Sequence, residues 1–331
     1  MSVTNRWLAG AYGGSRWLWP LRPLGWLYEW FMQRRSTQFQ TGKRRAWRAP
    51  VPVIVVGNIT LGGTGKSPLV AWLGHWLAAQ GWSPGIVTRG YGGHAAGYPL
   101  PVTNTTTVAE SGDEPLMLAQ QTGLPVMVDP QRARGARALV EAGCDIIISD
   151  DGLQHLALAR DIELVVIDGA RGLGNGRCLP AGPLREPPSR LRHVDAVIVN
   201  GEQAQTLSVD TVAMRLVPQQ WRRLRDGKRF PLAPLPFSGP VNGLAAIGNP
   251  QRFFATLASL GVEGQWHPLA DHQPLTESLL APWRGRPLVM TAKDAVKCQA
   301  FAPPDSWALD VEASLPPDFE HWLAGKLSAL T

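Results

Sequence analysis

Short apolar runs alternate along the chain with stretches of helical periodicity. The runs, which we interpret as strands, are 51–56, 85–88, 125–128, 145–149, 163–168 and 195–199. The helical stretches between them are 67–80, 113–121 and 131–142. Continuous apolar strands separated by helices are typical of a parallel sheet that is covered on both faces. The pattern therefore predicts an α/β fold in which ligands gather at the carboxyl ends of the strands.

The pattern changes near residue 219. Residues 219–240 are rich in proline and basic side chains, which is typical of a linker. Beyond them, apolar runs at 244–247, 286–291 and 307–311 and a helical stretch at 250–260 predict a smaller α/β unit. We divide the chain into an N-terminal segment (1–50), a core domain (51–218), a linker (219–240) and a second domain (241–331).

The N-terminal segment combines tryptophan with arginine. Its six tryptophans are Trp7, Trp17, Trp19, Trp26, Trp30 and Trp47. Leu24, Leu27, Tyr28 and Phe31 share one helical face, and basic residues at 34, 35 and 43–45 follow it. Tryptophan beside arginine favours the headgroup region of a bilayer. The segment predicts a helix lying in a membrane interface; the alternative is a helix docked on the protein's own core, followed by a solvated basic loop.

Charge and composition narrow the possible partners. The 331 residues are 44% hydrophobic and carry a net charge of +6, as expected for a globular chain. Glu29 is the one acid among residues 1–48, so the positive charge is concentrated there. Such a segment binds nucleic acid or an anionic membrane. Because no nucleic-acid-binding motif accompanies the charge, we predict an anionic membrane surface as partner and no nucleic acid. No obligate protein partner is evident.

Cysteine usage and hydropathy bear on location. Cys144, Cys178 and Cys298 are widely spaced and show neither a metal-binding nor a disulfide pattern, which suits the reducing cytoplasm. The early apolar stretch is interrupted by proline and charge, so we expect neither a signal peptide nor a membrane-spanning helix. A peripheral or monotopic protein is predicted.

The strongest motif follows the first strand. Small residues lead into a lysine and a serine, and a helical stretch comes next. Backbone N–H groups in such a loop close around a polyphosphate, while the lysine adds charge and the serine hydroxyl binds Mg²⁺. The predicted nucleotide-binding residues are Thr60, Leu61, Gly62, Gly63, Thr64, Gly65, Lys66 and Ser67. Thr60 departs from the usual pattern, which begins with glycine; the alternative is a purely structural turn.

Two adjacent acids end the strand at 145–149. Asp150 and Asp151 stand where a phosphate-loop protein holds Mg²⁺ opposite Lys66 and Ser67. Neighbouring side chains on an extended strand point to opposite sides, so the two acids need not share one role. We predict Ser67, Asp150 and Asp151 as the metal site, the alternative being a cap or turn.

Other candidate residues are ambiguous on local grounds. Arg89 follows a core strand, and Arg177 and Arg185 flank a loop rich in glycine and proline, which suggests an anionic substrate or simply solvated arginines. Asp113 stands at a predicted helix start, where an N-cap is the common role. A lone histidine such as His272 is more often structural than catalytic, and spacing cannot show that it meets Asp113.

Several strings together resemble one family, the tetraacyldisaccharide 4′-kinases of lipid A biosynthesis in Gram-negative bacteria. They stand at residues 56–68, 88–92, 112–115, 150–155, 179–186, 271–272 and 291–297. They occur in the family's order and span nearly the whole chain. The family's phosphate loop is similarly atypical at the position of Thr60. Ala292 departs slightly from the Thr-Glu-Lys-Asp that we associate with the family.

The resemblance implies an activity and an active site. It implies transfer of the γ-phosphate of ATP, with Mg²⁺, to the 4′-hydroxyl of a tetraacylated glucosamine disaccharide 1-phosphate at the cytoplasmic face of the inner membrane. It implies Lys66 as a catalytic residue, Asp113 as general base in place of an N-cap, and His272 as the residue that orients it. It also implies a P-loop core with the site in a cleft. The implied substrate contacts are Arg89, Tyr91, Gln154, Arg177 and Arg185.

Two other functions stay open. Gly62–Ser67 also resembles the deviant phosphate loop of membrane-associated partitioning ATPases, which act as switches. Those proteins carry a lysine where Leu61 stands, and their membrane helix is usually C-terminal. A nucleotide-dependent scaffold that binds lipid without chemistry is the third possibility.

Overall fold

A computed structural model describes residues 3–330 of the chain. Its strands are β1 (Val53–Gly57), β2 (Pro84–Thr88), β3 (Leu100–Pro101), β4 (Val126–Val128), β5 (Ile146–Asp150), β6 (Ile162–Asp168), β7 (Ala196–Asn200), β8 (Val212–Arg223), β9 (Arg229–Phe230), β10 (Val241–Ala245), β11 (Gly264–Pro268), β12 (Leu288–Thr291) and β13 (Ser306–Ser314). Residues 1, 2 and 331 of the predicted first and last segments lie outside the described range.

Ten α-helices surround these strands within the described range. They are α1 (Val3–Tyr12), α2 (Arg22–Gln40), α3 (Lys66–Ala79), α4 (Val108–Ser111), α5 (Asp113–Thr122), α6 (Arg132–Glu141), α7 (Pro250–Ser259), α8 (Glu277–Leu280), α9 (Ala292–Cys298) and α10 (Pro317–Ser328). Short 3₁₀ helices occupy Arg16–Leu21, Pro188–His193 and Ala281–Trp283.

All the strands belong to one sheet, ordered β11-β10-β12-β13-β8-β7-β6-β1-β5-β2-β4-β3, with β9 paired to β8. The parallel strands β1, β2, β5 and β6 are buried along their whole length, as their continuous apolar sequences require. β1 lies between β5 and β6, so the loop after β1 emerges at the centre of the carboxyl edge. The predicted α/β fold with a mainly parallel sheet is confirmed.

The long strand β8 joins the two halves of the sheet. Its first residues, Val212–Met214, pair in parallel with β7, and the rest, Arg215–Arg223, pairs antiparallel with β13. The predicted linker at 219–240 therefore begins inside a strand, because β8 extends to Arg223 and 220–223 already pair with the second half. The sheet is continuous across this point, and the division into two domains stays a prediction.

The two halves also share a core. α10 lies near the end of the chain, yet Phe319 and Leu323 belong to the same buried cluster as Leu69 and Leu73 of α3. The sequence pattern predicted neither this helix nor the edge strand β11. β11 is partly exposed and holds Gly264 and Pro268, so it lacks the apolar run of a central strand.

The N-terminal helix α2 leaves its apolar face uncovered. Leu24, Leu27 and Phe31 are 52%, 60% and 59% exposed, and Trp26 and Trp30 are exposed beside them. Tyr28, the fourth residue of the predicted face, is half-buried, and Gly25 of the same helix is buried against Ala181. The helix therefore contacts the protein on one side while most of its apolar face is exposed, and its place in a membrane interface stays a prediction. Within the described residues, no helix has the length and apolar character needed to span a bilayer.

Candidate active site between the two halves of the sheet

A cavity of about 1440 Å³ opens at the carboxyl ends of the central strands. Residues Gly62–Ser67 line one side, and His272 and Lys293 from the second half line another. The phosphate loop and His272 thus face a common space, as expected for ligands at this edge of a parallel sheet. Asp113 and Asp150 are buried and are absent from the lining.

The loop has the backbone conformation of a phosphate cradle. Gly62 and Gly65 have φ angles of 92° and 93°, values that side chains other than glycine rarely adopt. α3 begins at Lys66, so the positive end of its dipole points into the loop. The Lys66 Nζ lies 3.5 Å from Asp151 Oδ1, which holds the lysine at the cavity.

The carbonyl groups of the loop are bound by side chains. The four bonds are Asn58 Nδ2 to Thr60 O at 2.9 Å, Tyr12 Oη to Leu61 O at 2.6 Å, Arg171 Nη2 to Gly63 O, and Asn200 Nδ2 to Thr64 O at 3.0 Å. The Leu61 N–H donates to Pro183 O, so the cradle of free N–H groups starts at Gly62. Thr60 is buried and is absent from the cavity lining.

The two acids after β5 have different surroundings. Asp150 is buried, and its Oδ1 has no hydrogen-bond partner among the described residues. Burial, with the charges of Glu114 and Asp151, raises the pKa of Asp150 to about 7. Asp151 has left the strand, with a φ of 47°, and faces Lys66 and Arg185. Burial alone would raise its pKa, but these two cations outweigh it and lower the pKa to about 2.

These residues fit a hard divalent cation. Mg²⁺ takes oxygen ligands and is usually held by one or two carboxylates together with phosphate oxygens and water. The unpartnered Oδ1 of Asp150, the Asp151 carboxylate and the Ser67 hydroxyl supply such oxygens. The described residues contain no group of three or more His, Cys, Asp and Glu side chains that could hold a metal without a substrate.

Across the cavity, Asp113 and His272 are in direct contact although 159 residues separate them. His272 Nδ1 lies 3.2 and 3.1 Å from the two carboxylate oxygens of Asp113. Asp113 is the first residue of α5, Gly112 holds the N-cap position, and the Asp113 carboxylate accepts the Glu114 N–H at 2.9 Å. The N-cap interpretation is therefore wrong, and the structure brings together the pair that the resemblance implied.

Electrostatics keep this carboxylate ionised. Burial would raise the pKa of Asp113, but the His272 hydrogen bond and the charges of Lys293 and Lys297 outweigh it and lower the pKa to about 2. His272 has a φ of 59°, and the Tyr91 ring lies 5.0 Å from its imidazole. A backbone strained in this way is a common feature of functional sites.

Comparison with known proteins decides the family. The family model described as tetraacyldisaccharide-1-P 4′-kinase matches residues 17–328. The tetraacyldisaccharide 4′-kinase of Ectopseudomonas mendocina is 49% identical over 331 residues, covering 100% of this chain and 99% of that protein. That of Pseudomonas aeruginosa is 48% identical, with the same coverage.

The chain belongs to the tetraacyldisaccharide 4′-kinase family. Its fold is also similar to a solved member, LpxK from Aquifex aeolicus in complex with ATP, with a TM-score of 0.77 and 26% identity. That match covers 94% of this chain and 99% of the other.

Two lysines that the sequence reading did not single out lie beside Asp113 and His272 in this family member. Lys293 Nζ lies 3.0 Å from Glu114 Oε1, 3.4 Å from Asp271 Oδ1 and 3.2 Å from His272 Nε2. Because an ammonium group only donates, the last contact requires an unprotonated Nε2, and the proton on Nδ1 then points to Asp113. The Asp113 hydrogen bond raises the pKa of His272 against burial and the Lys293 charge.

The second lysine, Lys297, is almost fully buried. Its Nζ lies 2.9 Å from Asp294 Oδ1 and 3.5 Å from Asp113 Oδ2. A buried ammonium needs such partners, since an isolated charge in the interior is costly. The string at 291–297 placed both lysines on one helical turn, but their partners at 113 and 114 are invisible to local patterns.

The predicted substrate residues of this kinase-family chain fall into two groups. Arg89, Tyr91 and Arg185 line the cavity. Gln154 and Arg177 do not: Gln154 Nε2 binds Glu186 Oε1 at 2.6 Å and Asn58 O at 3.1 Å, and Arg177 lies in the loop beside Asn175.

Sequence reasoning also missed Arg132 of this family member. It is buried at the cavity wall and donates through Nη2 to Asp150 O at 3.1 Å and Asp151 O at 3.2 Å. Its position in the amphipathic helix α6 gave no signal, because an arginine there is ordinarily solvated.

Proposed function

We propose that this chain is an ATP-dependent kinase that transfers the γ-phosphate of ATP to the 4′-hydroxyl of a tetraacylated glucosamine disaccharide 1-phosphate in lipid A biosynthesis. Membership of the family supports this reaction. The observation that carries it is the contact of the buried Asp113 with His272, which lines the same cavity as the Gly62–Ser67 loop. A nucleotide-binding loop and a buried carboxylate–imidazole pair in one space are the two parts a sugar kinase needs.

The donor side binds ATP through backbone and charge. The N–H groups of the loop and the amino end of α3 favour phosphate oxygens, and Lys66 adds a point charge. Lys66 now pairs with Asp151 at 3.5 Å, so an incoming phosphate competes for the same ammonium group.

Ser67, Asp150 and Asp151 are the residues that would hold Mg²⁺. Bound there, the cation would neutralise charge on the transferring phosphoryl group. A nearby cation also favours the ionised form of Asp150, which burial disfavours in its absence.

On the acceptor side, Asp113 receives the hydrogen bond of the sugar hydroxyl and takes its proton. A carboxylate with a pKa of about 2 is a weak base. Phosphoryl transfer tolerates this weakness, because catalysis rests mainly on positioning and charge stabilisation. His272 holds Asp113 in place through Nδ1–H, while Arg89, Arg185 and Tyr91 border the space for a phosphorylated sugar.

The substrate's acyl chains determine where the reaction takes place. Each buried CH₂ contributes about 0.8 kcal/mol, so a tetraacylated lipid stays in its bilayer and the enzyme must come to it. The exposed face of α2 and the basic residues after it suit an anionic lipid surface. This supports peripheral or monotopic attachment at the cytoplasmic face of the inner membrane, with a core domain at 51–218 and a second domain at 241–331 bordering the cleft.

The test is an assay with γ-labelled ATP, Mg²⁺ and the disaccharide 1-phosphate. Label in a bisphosphorylated lipid is the expected result. Release of labelled phosphate without lipid, and no labelled lipid, would favour the membrane-associated ATPase switch. Absence of both products, with nucleotide still bound, would favour the scaffold.

A further inference from the structure

Four side chains bind carbonyl groups of the phosphate loop, and the proposed reaction does not explain why one of them comes from the N-terminal segment. A loop that turns its N–H groups toward phosphate turns its carbonyls away, and buried carbonyls need donors. Asn58, Arg171 and Asn200, which bind three of them, follow or end the strands β1, β6 and β7 of the half that carries the loop. The fourth donor, Tyr12, comes instead from α1, a helix of the N-terminal segment that precedes the sheet.

Tyr12 is held firmly in that place. Its hydroxyl lies 2.6 Å from Leu61 O, and the Arg171 guanidinium lies over its ring, 5.1 Å from the centroid. The Asn175 N–H donates to Ala11 O at 3.1 Å. Gly174 has a φ of +60°, and a Cβ there would lie 3.1 Å from the Tyr12 ring. Burial is the main reason that the pKa of the Tyr12 hydroxyl is raised, so the group stays a donor.

A second connection leads from the same segment to the same loop. Trp7 Nε1 donates to Pro180 O at 3.1 Å, and Gly25 of α2 packs against Ala181. The loop that contains Pro180 and Ala181 continues to Pro183 and Arg185, which bind the backbone just before the phosphate cradle. The Leu61 N–H donates to Pro183 O, and the Arg185 N–H donates to Ile59 O. Leu61 is therefore bound on both sides by residues attached to the N-terminal segment.

We propose that Tyr12 is a positioning residue of the nucleotide site, and that through it the N-terminal segment fixes the phosphate loop independently of membrane contact. The proposal rests on the proposed function, because it takes ATP as the nucleotide. It gives the segment two separable roles. The exposed face of α2 meets lipid, and the end of α1 holds the loop that receives the phosphates.

The decisive variant is Tyr12→Phe, which removes the hydroxyl and keeps the ring on Arg171. Binding of a non-hydrolysable ATP analogue with Mg²⁺ is measured without lipid, so membrane contact plays no part. Loss of one neutral hydrogen bond corresponds to about two- to tenfold weaker binding. Tyr98→Phe is the matched control, because Tyr98 Oη accepts the Ala95 N–H in a loop absent from the cavity lining. We expect that control to bind the analogue like the unaltered protein.

Hydrogen exchange of the nucleotide-free protein gives an independent readout. Peptides covering residues 58–68 should exchange faster in Tyr12→Phe than in Tyr98→Phe, while the thermal midpoints of the two variants stay close. Equal analogue affinity and equal exchange in the two variants overturn the proposal. If the unaltered protein binds no nucleotide, the proposed function fails and this inference fails with it.

A vesicle-binding measurement separates the two roles. Tyr12→Phe should bind anionic vesicles like the unaltered protein, whereas Trp26→Ser should bind vesicles less and the ATP analogue equally. Trp26 is 64% exposed on α2, whereas the Tyr12 side chain contacts Leu61 O and the Arg171 guanidinium. Deleting residues 1–35 removes both features at once, so a deletion cannot distinguish them. Reduced vesicle binding by Tyr12→Phe, with normal analogue binding, contradicts the proposal.

Discussion

The donor and acceptor sides of the cavity are built in opposite ways. The donor side is one stretch of backbone, Gly62–Ser67, placed by a strand and a helix that are its immediate neighbours in the chain. The acceptor side consists of side chains from three separate places, with Asp113 on α5, His272 in a loop and Lys293 on α9. The conformation that binds ATP is therefore encoded mainly in one continuous segment, which distant side chains then hold in place, while acceptor chemistry depends on how the two halves of the sheet meet.

The largest expected effect comes from removing the acceptor-side base. Asp113→Asn keeps the size of the side chain and loses the charge, so turnover should fall by about 10²–10⁴-fold. Affinity for an ATP analogue should stay unchanged, because the donor side is separate. Steady-state kinetics with the lipid substrate measure the turnover, and a binding titration measures the affinity for the ATP analogue. A turnover within about threefold of normal would remove Asp113 from the mechanism.

The complementary change on the donor side is Lys66→Met. A hydrogen bond to a charged group contributes about 1.5–3 kcal/mol, so ATP binding should weaken roughly 10- to 150-fold. The Asp113–His272 contact should persist, and calorimetric titration with ATP and Mg²⁺ gives the affinity. Lys326→Met is the control, since that lysine pairs with Asp195 on the surface. Unchanged affinity in Lys66→Met would show that the loop binds phosphate through backbone groups alone.

Membrane contact should act on the acceptor side alone, because only the acceptor is a lipid. Arg34→Gln with Arg35→Gln should weaken binding to anionic vesicles by about 25-fold, since each basic residue near such a surface contributes about 1 kcal/mol. Binding to zwitterionic vesicles and to ATP should change little. Co-sedimentation measures binding to the vesicles. Arg284→Gln, which replaces an exposed arginine of the second half, serves as control. Equal loss on both vesicle types would contradict the electrostatic account.

The smallest effect is expected at Lys293, and it concerns pH. The Lys293 charge helps to lower the pKa of Asp113 to about 2, so Lys293→Met should raise that pKa and move the acid limb of turnover to higher pH. Near neutral pH, Asp113 remains ionised, and we expect a loss below about tenfold. Lys293→Arg retains the charge and should restore the profile. Coincident pH profiles for Lys293→Met and the unaltered protein would exclude this role.

Sequence reading succeeded where the determinants are local. β1, the loop and α3 follow one another within 27 residues, Val53–Ala79, so strand, glycine and helix signals reinforce each other. Continuous apolar runs separated by helical stretches likewise predicted the parallel sheet. The same local logic made Asp113 an N-cap, because its real partners, His272 and Lys297, lie more than 150 residues away. Only the family resemblance pointed to that pair.

The remaining misses also have physical reasons. Asp151 leaves the strand at a φ of 47°, a backbone turn that the strand pattern could not indicate. Proline and basic residues from 219 onward suggested a linker, yet Trp221 is fully buried and its neighbours continue a strand. Tertiary packing decided both places, and neither composition nor periodicity reports on packing between distant segments.

The dual pairing of β8 has a consequence for the geometry of the cavity. Residues 212–214 are hydrogen-bonded into the half that carries the phosphate loop, while 215–223 belong to the half that carries His272. Asp113 lies on the first of these halves, so its contact with His272 at 3.1 Å spans both of them. The distance between the proposed base and its orienting histidine therefore depends on the path of one shared strand.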